Sequence, residues 1–186
     1  MAELTDEQIA LRVQEGQTFW FAFIVDRYEA RLLRYAKKFL LEEADAEDLV
    51  QEVFTKAYVS LRSFDASRRF SPWIYRIAHN EFVSFAKKRR SISLSFVDMD
   101  TIFPGHVPDE EPPRDEELAQ ALDTSLTLID EKYREVLVLY YYESMGYKEI
   151  SDVLAIPVPT VGVRLKRGRE MLKRIIEQEQ GNAGDQ

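Results

Sequence analysis

The sequence predicts an all-α protein of two small helical domains joined by an acidic, Pro-containing linker, with a helix-turn-helix in the C-terminal domain. Three observations predict it. Apolar side chains recur three and four positions apart through most of the 186 residues. Pro104, Gly105, Pro108, Pro112 and Pro113 interrupt that rhythm among acids over residues 91–114. From Tyr147 onward a short periodic segment, a tight turn and a longer basic segment follow in order. The expected divisions are a domain over 1–90, a linker over 91–114, a domain over 115–180 and a tail over 181–186.

Each element has a local cause. Thr5 with Gln8 forms a capping-box pattern that opens a short helix ending at Gly16. Thr18 can cap a second helix running to about Leu40, with Trp20, Phe23, Ile24, Tyr28, Leu32, Ala36 and Phe39 on its apolar face. Asp45 is the expected cap of a third, whose stripe is Leu49, Val53, Ala57 and Leu61. Ser71-Pro72 places an N-cap before a proline at the first helical position. That fourth helix carries Trp73, Ile74, Ile77, Ala78, Phe82 and Phe85 and ends in a basic run at Arg90. Beyond the linker, helical spacing resumes near Asp115 with Leu118, Ala121, Leu122, Leu126 and Ile129 inward. A further helix starts near Asp130 and ends near Gly146. A short helix at about 147–154, a turn at Ala155-Ile156-Pro157 and a long helix to about 178 complete the chain, with a frayed tail from Glu179.

Composition removes several function classes. Cysteine is absent, which excludes disulfide frameworks, thiolate zinc sites and thiol nucleophiles. The two histidines, His79 and His106, are too few and too far apart for a metal cage. The longest apolar runs, Phe19–Val25 and Val136–Tyr142, fall far below the ~18 residues of a membrane span. The acidic N-terminus lacks an apolar signal core. The expectation is a cytoplasmic protein with no membrane insertion, no metal and no cofactor.

Charge is distributed unevenly. The net charge is −8, yet residues 62–90 carry eight basic and two acidic side chains, and residues 160–176 carry six and one. Between them, residues 91–131 hold one Arg and eleven acids. Nucleic-acid binding depends on the local field and not on the sum, so two basic segments flanking an acidic one point to it. Solvated helix faces without a partner are the competing reading.

Three constellations carry the chemistry. In the last two helices, Ile150 and Leu154 are spaced to pack against Val161 and Leu165. Val161, Leu165, Gly168, Leu172 and Ile175 form one stripe of the second helix. Thr160, Val163, Arg164, Lys166, Arg167 and Arg169 then point elsewhere, the early ones toward base edges and the later cations toward phosphates. An ordinary helical hairpin with a basic surface is the plain alternative. In the third helix, Asp48, Gln51, Glu52 and Thr55 fall at i, i+3, i+4 and i+7 and share the face opposite the apolar stripe. Six acids and no base occur from Glu42 to Glu52, so this face can dock a basic partner or simply be solvated. The third constellation runs from Arg62 to Asn80. Its cations, including Arg68 and Arg69, interleave with Phe64, Phe70, Trp73 and Tyr75, a composition that holds single strands by phosphate contact and base stacking. Trp73 and Ile77 fit a core face, whereas Arg76 and Asn80, one turn apart, fit a contact surface.

Together these segments resemble the extracytoplasmic-function (ECF) group of bacterial RNA polymerase sigma factors, over about residues 15–90 and 115–178. The most specific stretches are Ala46-Glu-Asp-Leu-Val-Gln-Glu-Val-Phe, Phe70-Ser-Pro-Trp-Ile-Tyr-Arg-Ile-Ala-His-Asn, and Glu149-Ile-Ser-Asp-Val-Leu through Arg169. The resemblance implies that Asp48, Gln51, Glu52 and Thr55 dock on the clamp helices of the polymerase β′ subunit. It implies that the loop at about 62–71 and the helix after it read the −10 promoter element as its strands separate. A non-template base would enter a pocket near Ser63, Phe64 and Asp65, with Asn80 nearby. The helix-turn-helix would read the −35 element as duplex, the linker would run toward the RNA exit path, and an anti-sigma factor would be a partner. Pro159-Thr-Val-Gly-Val departs from the usual Gly-Thr-Val followed by a basic residue and serine. Gly162 and Val163 therefore replace polar side chains that often contact −35 bases, and Gly162 costs about 1 kcal/mol of helix propensity against Ala. Phe82 and Ser84 stand where more polar residues are usual.

The sequence thus predicts an alternative sigma factor that binds core polymerase, recognises −10 and −35 elements and helps initiate transcription. A helix-turn-helix regulator acting without core polymerase is the alternative. Catalysis by the chain itself is not expected, because no phosphate-binding, zinc-protease or serine-hydrolase signature is present.

Overall fold

A computed structural model describes residues 4–37, 43–89, 125 and 128–183. The described residues are helical, with no strand among them. The chain divides into two compact units, Met1–Ser93 and Leu94–Gln186. The expected linker, the inward residues from Leu118 to Leu122, Leu126 and Phe39 lie outside the described residues.

In the first unit α1 spans Asp6–Gln14, α2 Phe21–Lys37, α3 Glu43–Ser60 and α4 Phe70–Arg89, with 3-10 turns at Thr18–Trp20 and Leu61–Ser63. The α1 start follows its capping box: Thr5 accepts from the Gln8 N–H at 3.3 Å while Gln8 accepts from the Thr5 N–H at 3.0 Å. The C-terminal end is closed by Gly16, whose φ of +94° few other residues tolerate. Thr18 opens the 3-10 turn and not a helix cap, so α2 begins at Phe21. Phe23, expected inward, is 44% exposed. Asp45 lies inside α3, which starts earlier. The stripe Leu49, Val53, Ala57 and Leu61 is buried as its spacing predicts.

Helix α2 packs on α3, α3 on α4, and α1 against α2 and α4. Tyr28, Leu32, Tyr35, Tyr75, Phe70 and Phe82 fill the interior, with Leu32, Phe70 and Phe82 each contributing roughly 1.5–3 kcal/mol. An ion pair from Lys56 to Glu81 ties α3 to α4 across the edge of that core.

In the second unit α5 spans Glu131–Tyr141, α6 Tyr147–Leu154 and α7 Val158–Ala183. The fifth helix therefore stops before Gly146, and the last continues past the expected fraying point at Glu179. Glu149 accepts from the Gly146 N–H at 3.0 Å and closes the start of α6. The turn into α7 places Ala155 in the left-handed region at φ +53°, and the Ser151 hydroxyl donates to the Ile156 carbonyl at 2.6 Å across it. Helices α5 and α6 both pack on α7, burying Ile150, Leu154, Val161, Leu165 and Leu172.

Candidate nucleic-acid and docking surfaces

The exposed face of α3 is built by exclusion. Ala46, Leu49, Val53 and Ala57 turn inward, which leaves Asp48, Gln51, Glu52 and Thr55 exposed together. The Thr55 hydroxyl donates back to the Gln51 carbonyl at 3.0 Å, so the carboxylates are the outward chemistry. Beside them a cavity of about 230 Å³ runs between α3 and α4, lined by Asp45, Asp48, Leu49, Glu52, Glu81, Ser84, Phe85 and Lys88. The α4 wall of that groove was not legible from α3 spacing.

Between Leu61 and Phe70 the chain leaves one helix and enters another, and this loop is ordered by its own side chains. The Asp65 carboxylate accepts from the Ser67 hydroxyl at 2.7 Å and the Ser67 N–H at 3.0 Å. Those two bonds, the hydroxyl first, hold its carboxyl below the usual carboxylate range. Ser63, Asp65, Arg68 and Arg69 are exposed, as are Arg76 and Asn80 on α4.

Phe64 and Phe70 correct the sequence reading. They are 6% and 0% exposed and form a ring cluster with half-buried Trp73. The ring centroids are 5.3 Å apart for Phe64–Phe70, 5.0 Å for Phe64–Trp73 and 5.2 Å for Phe70–Trp73. Tyr28 closes on Phe70 at 5.5 Å. The rings anchor the loop from within because their apolar area gains more from the core than from water. The helix start also differs from the expected Ser71-Pro72 cap. Helix α4 begins at Phe70, and its first N–H donates to the Glu7 carboxylate of α1 at 2.8 Å. Pro72 still falls in the first turn, where a missing N–H breaks no helical bond.

His79 is half-buried and points inward, with Nδ1 3.1 Å from the Tyr35 hydroxyl. Burial foremost, then the charge of Lys87, lowers its pKa to about 4. Among the described residues no group of three His, Cys, Asp or Glu is arranged to hold a metal ion. No helix among them is long and apolar enough to cross a membrane.

The helix-turn-helix requires a second correction. Lys166 and Arg167 are exposed and Arg169 is half-buried, but Thr160, Val163 and Arg164 are buried. Counting by period splits a helix into a core stripe and a free remainder. At the start of α7 burial extends well beyond the stripe, from Thr160 through Leu165. Arg164 lies near Glu135 of α5, and both side chains are buried. Burial foremost, with Glu131 adding to it, pushes the Glu135 carboxyl up to about 8, while Arg164 and Arg134 pull it down.

The described residues thus form two helical units, with an exposed acidic face on α3, an ordered basic loop before α4 and a helix-turn-helix at α6 and α7. A family model described as sigma-70 region 2 matches residues 24–92, and one described as sigma-70, region 4 matches residues 117–172. The chain is 34% identical over 172 residues to the ECF RNA polymerase sigma factor SigW of Bacillus subtilis (strain 168), covering 88% of this chain and 92% of that one. It is 32% identical over 187 residues to an ECF RNA polymerase sigma-E factor of Haemophilus influenzae, covering 95% and 98%. The solved structure of CnrH in complex with the cytosolic domain of CnrY is similar at a TM-score of 0.63 and 26% identity, over 93% of this chain and 97% of CnrH. The chain belongs to the ECF RNA polymerase sigma factors. As such it is a transcription initiation factor that binds core polymerase and recognises promoter elements.

Proposed function

We propose specific surfaces for each part of that activity. The exposed carboxylates Asp48 and Glu52, with Gln51 and Thr55 beside them, dock on the β′ clamp helices, and Ser84, Phe85 and Lys88 extend the contact. The exposed loop residues Ser63, Asp65, Arg68 and Arg69, with Arg76 and Asn80, meet the −10 strand as it separates. Phe64 and Phe70 support that surface from the core. Lys166, Arg167 and Arg169 contact phosphates at −35, while Thr160, Val163 and Arg164 hold the reading helix in its domain. The domains fall at 1–90 and 115–180 with a linker between them.

The reading includes three further expectations. An anti-sigma factor covers the docking surfaces when transcription is off, in keeping with the complexed state of the CnrH relative. The polymerase, not this chain, supplies the phosphoryl-transfer chemistry. The chain works in the cytoplasm, where its template is.

The observation that carries the assignment is the shared exposure of Asp48, Gln51, Glu52 and Thr55 on one helix face. Reversing Asp48 and Glu52 to Lys tests it in a binding titration with purified core. Affinity for core should fall while thermal melting stays within about 0.5 kcal/mol, as for ordinary surface positions. Unchanged affinity would remove the docking role from α3.

A further inference from the structure

We propose that α1 sets the shape of the promoter-reading loop, with Glu7 and Gln14 acting as positioning residues that hold its two ends. The inference rests on the reading of residues 63–69 as the −10 surface. Helix α1 lies outside residues 24–92 matched by the region 2 family model, and nothing in that match assigns it a role.

The geometry is a clamp. The Gln14 Nε2 amide donates to the Leu61 carbonyl at 2.8 Å and to the Phe64 carbonyl at 2.8 Å. An amide nitrogen has two hydrogens, so one side chain satisfies two carbonyls where the 3-10 turn ends. At the other end of the loop, Glu7 accepts from the Phe70 N–H at 2.8 Å. A carboxylate there also complements the positive end of the α4 dipole. Helix α1 can bear on the loop because it is itself fastened to α2. Asp6 accepts from the Tyr28 hydroxyl at 2.6 Å and pairs with Arg27 at 2.6 Å.

The two clamped ends bracket the exposed residues. Leu61, Phe64 and Phe70 are buried, and Ser63, Asp65, Arg68 and Arg69 project between them. A flipped base gains from a pocket only if the pocket is formed before the base arrives, because ordering a loop at that moment costs free energy that otherwise favours binding. Glu7 and Gln14 fix the two ends of the loop, adding to the order that Asp65 and Ser67 give its middle.

Base preference distinguishes this role from plain stabilisation. Holoenzyme is assembled from core polymerase and the full chain, and captured single strands from a short randomised DNA pool are sequenced. The temperature is held well below the melting point of every variant. Gln14→Met, which keeps volume and removes both donors, and Glu7→Ala should each flatten the preferred position by about threefold to tenfold, the worth of one or two hydrogen bonds. Core affinity should not change. Glu7→Gln keeps an acceptor for the Phe70 N–H and should retain the parent profile. Asn80→Ala is the benchmark for the loop reading itself. If it flattens the profile while Gln14→Met and Glu7→Ala match the parent, the loop reads DNA and the clamp proposal is overturned. If Asn80→Ala and Ser63→Ala also match the parent, the −10 reading of the loop fails and the clamp fails with it.

Discussion

A Cβ placed on Gly168 would stand 2.9 Å from Cδ1 of Leu137, and 3.0 Å from its Cγ. Gly168 therefore lets α7 approach α5 closely, and Leu137 is fully buried at the point of contact. Gly168→Ala gains about 1 kcal/mol of helix propensity against a neighbour that must shift, so its net effect should be small. Gly168→Val cannot be absorbed in this way and should destabilise the second unit by about 2 kcal/mol through overpacking. Chemical denaturation of the two variants checks the ordering, and a Val variant as stable as the parent would contradict the close approach.

The two units should respond to pH in opposite directions. His79 has a folded pKa of about 4 against the usual 6.5. As pH falls through that interval the unfolded chain takes up a proton that the folded state refuses, and stability of the first unit is lost. Glu135 has a folded pKa of about 8 against the usual 4.5. There the folded state keeps a proton that the unfolded chain has released, so stability of the second unit is lost as pH rises toward 8. Amide hydrogen exchange reads the units separately. Protection factors, from which the intrinsic pH dependence of exchange is removed, should fall in the first unit at low pH and in the second at high pH, and Glu135→Gln should flatten the second trend.

Salt dependence separates the cations of α7. Lys166→Ala and Arg167→Ala should each reduce the slope of promoter affinity against salt by about one unit, as loss of a phosphate contact does. Arg164→Ala should lower the melting temperature of the second unit and leave the slope alone, since its side chain is buried near Glu135. A slope change for Arg164→Ala equal to that for Arg167→Ala would show that Arg164 reaches DNA.

Much of this was legible in the sequence. The apolar stripes of α3 and α7, the α1 capping box and the exposed carboxylate face all follow from spacing, because a helix repeats on its own neighbours. The misses at the candidate site share one cause, which is contact between residues distant in sequence. Glu7 caps α4 from 63 positions away and Gln14 reaches Phe64 across 50, so Ser71-Pro72 looked like a sufficient cap when a distant one was present. A basic loop containing Phe64 and Phe70 has the same composition whether the rings face solvent or each other. Arg164 looked free because no spacing rule links it to Glu135 on another helix.

Melting should expose the role of Asn80. It is exposed one turn beyond exposed Arg76, on the helix that follows the loop. Unstacking a base costs a few kcal/mol, so a lost contact to the extruded base should appear mainly in open-complex formation. Asn80→Ala should lower transcription from duplex promoters more than from templates with a pre-melted −10 bubble. Equal loss on both templates would remove the melting role from this position.

Transcription reconstituted from purified core polymerase on fragmented genomic DNA, with and without this chain, is the most direct measurement. The account predicts new transcripts that start at a limited set of sites sharing −10 and −35 sequences, and only when both core and chain are present. It would be contradicted if the chain bound DNA tightly by itself while the start sites used by core polymerase stayed the same.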